Sequence, residues 1–187
     1  NNIFLEVIIA NSFDNEALKI LKKRKNLRLI DATDFKMKDL MRFNSANESI
    51  LTQSEDIEKF NIKEFKIVSK KKPNKSQLKN LIFAFNICRY VKSNAIVLAS
   101  QEATVGIGSG QPSRLDSCQI AINKMNKFQK TNNTDGIVAA SDAFFPFVDG
   151  IETLVQAGIS AVIQPSGSIR DKEIIKFANQ TETVLVF

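Results

Sequence analysis

The sequence predicts an α/β protein with a largely parallel or mixed sheet. Three observations carry this prediction. Short apolar runs alternate with helical patterns along most of the chain, and turns rich in Gly, Pro and Ser follow several of these runs. The chain also has 187 residues with 43% hydrophobic content, which is enough for one substantial core or two small ones.

The first third of the chain predicts a strand, a helix and a returning strand, followed by a hairpin and one further strand. Asp14 suits the N-cap of a helix with an apolar face, and the basic residues 22–25 suit its C-terminal end. The expected strands are residues 6–10, 27–30, 38–43, 49–53 and 65–68, with the hairpin turn at residues 44–47.

The remaining chain has a sharper pattern. Ser76 is the expected N-cap of one helix, and Pro112 suits the first position of another. The expected apolar stripe of the first helix is Leu78, Leu81, Ile82 and Phe85, and that of the second is Leu115, Cys118, Ile122 and Met125. The other expected elements are strands at 95–99, 104–107, 136–140, 160–163 and 183–187, and helices at 150–157 and 171–179.

A domain boundary is predicted in the lysine-rich residues 70–75, which contain Pro73. It divides the chain into residues 1–72 and 73–187. The chain begins without Met and ends on an apolar strand pattern, so we expect it to be part of a longer protein.

Composition excludes several kinds of site. The sequence has no histidine, which excludes Ser-His-Asp and Cys-His nucleophilic sites within this chain, and no metal site is predicted. Cys88 and Cys118 lie in apolar helical patterns and are expected to be buried free thiols. With no apolar run long enough to cross a bilayer and no signal peptide, a cytoplasmic protein is expected.

The net charge of +6 favours anionic ligands. The basic clusters at residues 22–25 and 70–72 contain no interleaved aromatic residues. Binding of single-stranded nucleic acid usually requires such residues, because the bases stack on them. Solvated surface is therefore favoured over nucleic-acid binding.

Residues 141–149 are an unusual connection between an expected strand and an expected helix. Three phenylalanines and a proline lie between Asp142 and Asp149, where a surface turn would carry Gly, Asn and Ser. Aromatic faces beside carboxylates suit a flat ligand with polar edges, and a phenylalanine cluster closing the core is an equal alternative.

Two turns resemble anion sites. Gly106, Gly108 and Gly110 precede a helix, but their spacing is poor for a dinucleotide fingerprint, and a tight turn explains most of them. Arg114 in the first helical turn opposes the helix dipole, so a phosphate or carboxylate partner is expected. Residues 164–168 form the second turn, and we expect both turns at one sheet edge, after neighbouring strands.

Several polar residues also have a simple structural explanation. Asp149 with Glu152, and Ser168 with Asp171, match the capping-box pattern at the starts of two helices. Asn94 is expected to be a helix C-cap or turn residue, or to present its amide to a ligand.

Four segments, residues 91–99, 104–114, 141–149 and 157–171, resemble the bifunctional AICAR transformylase/IMP cyclohydrolase family, in the C-terminal part of its transformylase domain. The similarity is dense from residue 76 to 187 and looser from 1 to 30. It implies a cytidine-deaminase-like, three-layer α/β/α fold, formyl transfer from 10-formyltetrahydrofolate to AICAR in purine biosynthesis, and a homodimer.

The resemblance also implies residue roles. Asn94 would contact AICAR near the reacting amine, and Arg114 and Phe144 would line the AICAR site. The residues expected on the folate side are Leu115, Pro146, Phe147, Asp149, Ser168 and Ile169, with Pro146 and Phe147 shaping the pocket between the two substrates.

This sequence departs from the family in ways that affect the expected activity. The family's upstream Lys-His catalytic pair is absent from this chain, Val148 replaces a usual arginine, and Ser109 replaces a usual alanine. The expectation is therefore an inactive part of the transformylase. The alternative is a non-catalytic nucleotide-binding or regulatory module that keeps the fold.

Overall fold

The computed structural model describes residues 4–36, 41–56, 60, 62–128 and 136–187. The chain divides into two compact units, residues 1–57 and 58–187. Both contain strands and helices, so the predicted α/β class is confirmed.

The first unit contains a β-α-β segment and a hairpin. Its elements are β1 (Val7–Ala10), α1 (Asn15–Leu21), β2 (Arg28–Asp31), β3 (Met41–Ala46) and β4 (Ser49–Ser54). Strands β1 and β2 pair in parallel, whereas β3 and β4 pair antiparallel. Asp14 caps α1 as predicted, since its Oδ1 accepts from the Ala17 N–H at 2.6 Å.

The hairpin turn of the first unit differs from the prediction. It lies at residues 47–48 rather than 44–47, because Asn44 to Ala46 continue the ladder and Asn47 takes the left-handed conformation with φ of 52°. Residues 38–40 of the predicted first hairpin strand lie outside the described residues.

The second unit begins with a short 3-10 helix, Ile62–Glu64, and then alternates strands and helices. Its further elements are α2 (Lys75–Cys88), β5 (Ile96–Ser100), β6 (Ala103–Gly108), α3 (Arg114–Phe128), β7 (Val138–Ser141), α4 (Val148–Gln156), β8 (Ala161–Ile163), α5 (Asp171–Gln180) and β9 (Val184–Val186).

The five strands of the second unit form one mixed sheet in the order β6-β5-β7-β8-β9. Strand β5 runs antiparallel to both of its neighbours, and β7, β8 and β9 are parallel. The carboxyl ends of β6, β7, β8 and β9 therefore meet the amino end of β5 at one edge. The two anion-type turns share this edge, as predicted, but β5 and β7 separate their strands, so the strands are not neighbours.

Helices cover both faces of this sheet. On one face, α2 packs on alternate strand residues such as Val97 and Ala140. On the other face, α3, α4 and α5 pack on the intervening residues, such as Leu98 and Ala139. Successive strand side chains point to opposite faces, so strands covered on both sides are apolar at nearly every position.

Several predicted helix details are wrong. The N-cap of α2 is Asn74, not Ser76, because the Asn74 carboxamide accepts from the Gln77 N–H in a complete capping box. The buried side of α2 contains Leu81 but not Leu78, Ile82 or Phe85; its buried residues are Gln77, Asn80, Leu81, Ala84 and Cys88. Pro112 precedes α3 instead of starting it, and Leu115 is 38% exposed.

The segment before α2 belongs to the second unit. Residues 65–68 form no full strand, but Ile67 makes a single bridge to Val186 in β9. The Val68 N–H also donates to the Leu185 carbonyl at 3.0 Å. The predicted boundary between residues 72 and 73 falls later in the chain than this pairing, and the proposed domain identities stay predictions.

Both cysteines are buried free thiols, as predicted. Burial raises the pKa of each thiol to about 12. Within the described ranges, no helix is both long and apolar enough to cross a membrane.

Helix α3 approaches strand β6 closely, and two glycines of β6 explain how. A Cβ at Gly108 would lie 1.9 Å from the Ser117 carbonyl oxygen, and one at Gly106 would lie 2.2 Å from that of Ala121. Because these contacts are with backbone, no side-chain rotation can relieve them. Gly106 and Gly108 thus lie in β6 and permit this helix approach, and only Gly110, with φ of 69°, fits the tight-turn explanation.

Gly108→Ala is expected to lower the free energy of unfolding by about 2 kcal/mol or more, because α3 must move away from β6. Ser109→Ala is the matched control next to it, since the Ser109 side chain has no hydrogen-bond partner among the described residues. Urea unfolding followed by circular dichroism measures both. Equal stability of the two variants would contradict the close-packing argument.

Candidate functional site

The candidate site lies at the sheet edge where β5 begins and β6 and β7 end. Asn94 precedes β5, Arg114 opens α3 after β6, and residues 141–149 follow β7. Pairing of Ile96 with both Gly108 and Ser141 brings these three connections together. The sheet thus places side chains that are far apart in sequence at one position.

Arg114 links the three connections. Its guanidinium Nη1 donates to Asp142 Oδ1 at 2.5 Å and to Ser141 Oγ at 2.9 Å, and its Nη2 donates to Asn94 Oδ1 at 2.9 Å. The side chains of Arg114 and Asp142 are 10% and 17% exposed. The anionic partner expected for Arg114 is thus a carboxylate of the chain itself, which accounts for the cation at the start of a helix.

Asp142 is held in its ionised form. Burial alone would raise the pKa of this carboxyl, but hydrogen bonds from Ser93, Arg114 and the Ala95 N–H outweigh burial and lower its pKa. The Ala95 N–H donates to Asp142 Oδ1 at 3.1 Å, and the Asp142 N–H donates to the Ala95 carbonyl at 3.2 Å. A charged Asp142 therefore fixes the start of β5 to the end of β7.

Asn94 is fully engaged within the site. Its Nδ2 donates to the carbonyls of Gln111 and Pro112 at 2.8 and 3.2 Å, while its Oδ1 accepts from Arg114. The Ser93–Asn94 peptide bond is cis. Asn94 is not a helix C-cap, because α2 ends at Cys88 and is capped by Arg89. It holds the turn before α3 against the start of β5.

The three phenylalanines after β7 have two different roles, so both explanations left open by the sequence occur. Phe145 is 1% exposed and belongs to the core, where its ring leaves no room for a Cβ at Gly150. Phe144 and Phe147 are 38% and 51% exposed. Gln164, itself buried, accepts from the Phe145 N–H at 3.3 Å and positions this segment.

A cavity of about 480 Å³ opens at this edge, within the range of small-molecule sites. Its wall combines aromatic and apolar side chains with the polar groups of Asn94, Arg114 and Asp149. The lining residues are Asn94, Pro112, Ser113, Arg114, Leu115, Ala143, Phe144, Phe145, Pro146, Phe147, Asp149 and Gly150. Seven of the nine predicted site residues are therefore brought together.

Asp149 does not cap α4. The helix begins at Val148 after Phe147, and Asp149 lies within its first turn, where its Oδ1 accepts from the Gly150 N–H at 2.7 Å. The predicted capping box with Glu152 is wrong because the helix begins earlier. The exposed Asp149 carboxylate faces the cavity and can accept hydrogen bonds from a ligand.

Ser168 and Ile169 do not line the cavity. They lie in the turn after β8, where the Ser168 Oγ accepts from the Arg170 N–H and Asp171 Oδ1 accepts from the Ser168 N–H. One hydrogen bond of the predicted capping box between Ser168 and Asp171 is thus present, although α5 begins only at Asp171. Ile169 is fully exposed.

The sequence interpretation missed the roles of Asp142 and Gln164 in the site. Asp142 is the carboxylate partner of Arg114, and Gln164 positions the phenylalanine segment. A Ser-Asp pair directly after a buried strand was the available signal for Asp142. Gln164, a polar residue that ends an apolar run, was a weaker one.

Residues 1–124 match the family model described as AICARFT/IMPCHase bienzyme. The chain belongs to this family. The resemblance inferred from the sequence motifs is thereby confirmed.

Individual relatives agree with this assignment. The bifunctional purine biosynthesis protein PurH of Buchnera aphidicola subsp. Schizaphis graminum is 44% identical over 185 residues, which are 98% of this chain and 35% of that protein. The PurH protein of Persephonella marina is 43% identical over 187 residues, which are 99% of this chain and 36% of that protein. This member of the AICARFT/IMPCHase family thus spans about a third of the length of these relatives.

Asp142→Asn is expected to lower the free energy of unfolding by about 3 kcal/mol at pH 7, because it leaves the Arg114 charge with little exposure and no ionised partner. Since the folded pKa of Asp142 lies below its ordinary 3.8, the unfolded chain takes up the proton first. The higher free energy of unfolding of the wild type, relative to Asp142→Asn, is therefore fully present above pH 3.8 and is lost as the pH falls through the lower pKa of the folded state.

Urea unfolding at pH 7, 5, 4 and 3 measures this change. Asp116→Asn, at an exposed carboxylate in the first turn of α3, is the matched control and is expected to cost at most about 1 kcal/mol. A wild-type advantage over Asp142→Asn that stays constant down to pH 3 would contradict the proposed role of the charge.

Proposed function

We propose that this chain forms one half of an AICAR formyltransferase site, in which AICAR and 10-formyltetrahydrofolate bind in the cavity at the sheet edge. The observation that carries the proposal is the Arg114 network beside the exposed Phe144 ring, within a cavity of ligand size. Membership of a bienzyme family named for AICAR transformylase supports the choice of substrates.

Each wall of the cavity suits one substrate. The exposed face of Phe144 suits the flat imidazole of AICAR, and the adjacent Asn94 and Arg114 supply a polar wall. Leu115, Pro146 and Phe147 supply an apolar surface for the folate, and the free carboxylate oxygen of Asp149 suits the amino groups of a pterin ring. Ser168 and Ile169 are proposed to contact the folate from the neighbouring turn.

In the proposed reaction, the amine nitrogen of AICAR attacks the formyl carbon of 10-formyltetrahydrofolate. A new N–C bond forms, the bond from that carbon to N10 of the folate breaks, and the proton lost by the amine ends on N10. The residues of this chain hold the amine and the formyl group together, which is an entropic contribution to the rate. Proton transfer would need the family's Lys-His pair, which this chain lacks.

The architecture and assembly of the parent enzyme form part of the same proposal. Helices on both faces of the mixed sheet support a three-layer, cytidine-deaminase-like fold for the second unit. We assign this unit to the C-terminal part of the transformylase domain. A homodimer is proposed from the family resemblance.

Phe144→Leu is expected to weaken binding of AICAR to this chain about threefold to tenfold, because the stacking face is lost while apolar volume remains. Phe83→Leu is the matched control, since Phe83 packs with α2 on the other face of the sheet. Isothermal titration calorimetry measures both. Equal affinity of the two variants would contradict the placement of the base on Phe144. A chain that binds AICAR but does not bind folic acid would favour the non-catalytic nucleotide-binding module.

The chain alone is expected to give no saturable release of tetrahydrofolate when mixed with AICAR and 10-formyltetrahydrofolate. The reason is that its 187 residues contain no histidine to complete the proton-transfer pair. Absorbance measurement of tetrahydrofolate formation tests this, with heat-denatured chain as the background. Robust turnover would overturn the proposed need for the Lys-His pair.

A further inference from the structure

Arg170 connects the turn after β8 to the wall of the cavity. Its guanidinium carbon lies 4.8 Å from the centroid of the Phe147 ring, within cation–π distance. Phe147 lines the cavity and is half exposed, whereas Arg170 lies beyond it, outside the lining residues. A positive charge therefore lies at the outer edge of the site, next to an aromatic wall.

The Arg170 guanidinium is available to a ligand. Its side chain is 47% exposed, and its Nη1 lies 3.3 Å from Glu173 Oε2. This is a long ion pair within one turn of helix, and exposed pairs of this type contribute little. Among the described residues, the other guanidinium N–H groups of Arg170 have no hydrogen-bond partner in the protein.

The charges on the two sides of Phe147 have opposite sign. The Asp149 carboxylate lines the cavity, and Arg170 stacks on the Phe147 ring without lining the cavity. Arg114, the cation of the cavity wall, is already paired with Asp142. A ligand with amino groups at one end and carboxylates at the other would be oriented by this arrangement, with its carboxylates outward.

We propose that Arg170 is a specificity-determining residue that binds a glutamate carboxylate of the folate substrate at the outer edge of the cavity. This inference rests on the proposed function. The planar guanidinium matches a carboxylate through two parallel N–H···O bonds, and stacking on Phe147 holds the plane in place. The carboxylate replaces the long contact with Glu173.

The test compares two ligands on this chain by calorimetric titration. Folic acid carries the pterin ring and the glutamate, whereas 6-hydroxymethylpterin carries the ring and no carboxylate. Arg170→Ala is expected to weaken binding of folic acid about threefold to tenfold and to leave 6-hydroxymethylpterin unchanged. Arg170→Lys is expected to be intermediate, and Glu173→Gln is expected to strengthen folic acid binding by removing a competing anion.

Lys172→Ala is the matched control, because Lys172 is an exposed cation of the same helix outside the cavity lining. It is expected to bind both ligands as the wild type does. Rising salt should weaken folic acid binding less in Arg170→Ala than in the wild type, since one ion pair is missing.

Three outcomes would overturn the assignment. Equal weakening of both ligands by Arg170→Ala would mean that Arg170 only supports Phe147. If Arg170→Ala left folic acid binding unchanged, or weakened AICAR binding instead, Arg170 would not bind a folate carboxylate. If the wild-type chain bound neither folic acid nor 6-hydroxymethylpterin, the proposed function itself would fail, and the Arg170 assignment with it. If the wild-type chain bound both ligands and Arg170→Ala had no effect on folic acid, only the Arg170 assignment would fail.

Discussion

The ion pair between Arg114 and Asp142 is the interaction on which the arrangement of the site depends. It joins the first residue of α3 to the residue after β7, and the same guanidinium holds Asn94 before β5. Three chain segments meet through one side chain that is only 10% exposed. Pairing at this depth is stabilising only when the hydrogen bonds of both groups are satisfied, and here they reach Ser141, Asn94 and the backbone of Ala95. The cavity wall is therefore built before any ligand is bound.

Much of the second unit could be predicted from the sequence, because its strands are covered on both faces and its helices have clear apolar sides. The partner of Arg114 could not, since Asp142 lies 28 residues away and only strand pairing brings the two together. Pattern analysis identified Arg114 as a cation in need of an anion, but it could not distinguish a ligand from a carboxylate of the same chain. The starts of α2 at Lys75 and of α4 at Val148 were each missed by two residues, because several capping residues compete locally.

Residues 141–149 show how one segment serves the core and the cavity at once. The ring of Phe145 fills the space beside Gly150, which anchors the segment, and this anchoring allows Phe144 and Phe147 to remain exposed on either side of it. A single sequence could not assign the three rings, because burial depends on the position of Gln164 and α4 rather than on residue type. The proposed AICAR and folate surfaces are thus held by a core residue between them.

The reversal of β5 within an otherwise co-directional sheet has a consequence for the alignment of the site. In a fully parallel sheet, only the carboxyl ends of strands meet at one edge, whereas here the amino end of β5 contributes Asn94 to the same edge. The ladder that pairs Ile96 with Ser141 continues to Ala95 and Asp142, and so sets Asn94, the residue before Ala95, beside Asp142. Because a slip of one residue would turn every side chain of β5 to the other face, the core could not tolerate it. Burial of the apolar side chains of β5 therefore fixes the strand register, and this register aligns the polar groups of the cavity.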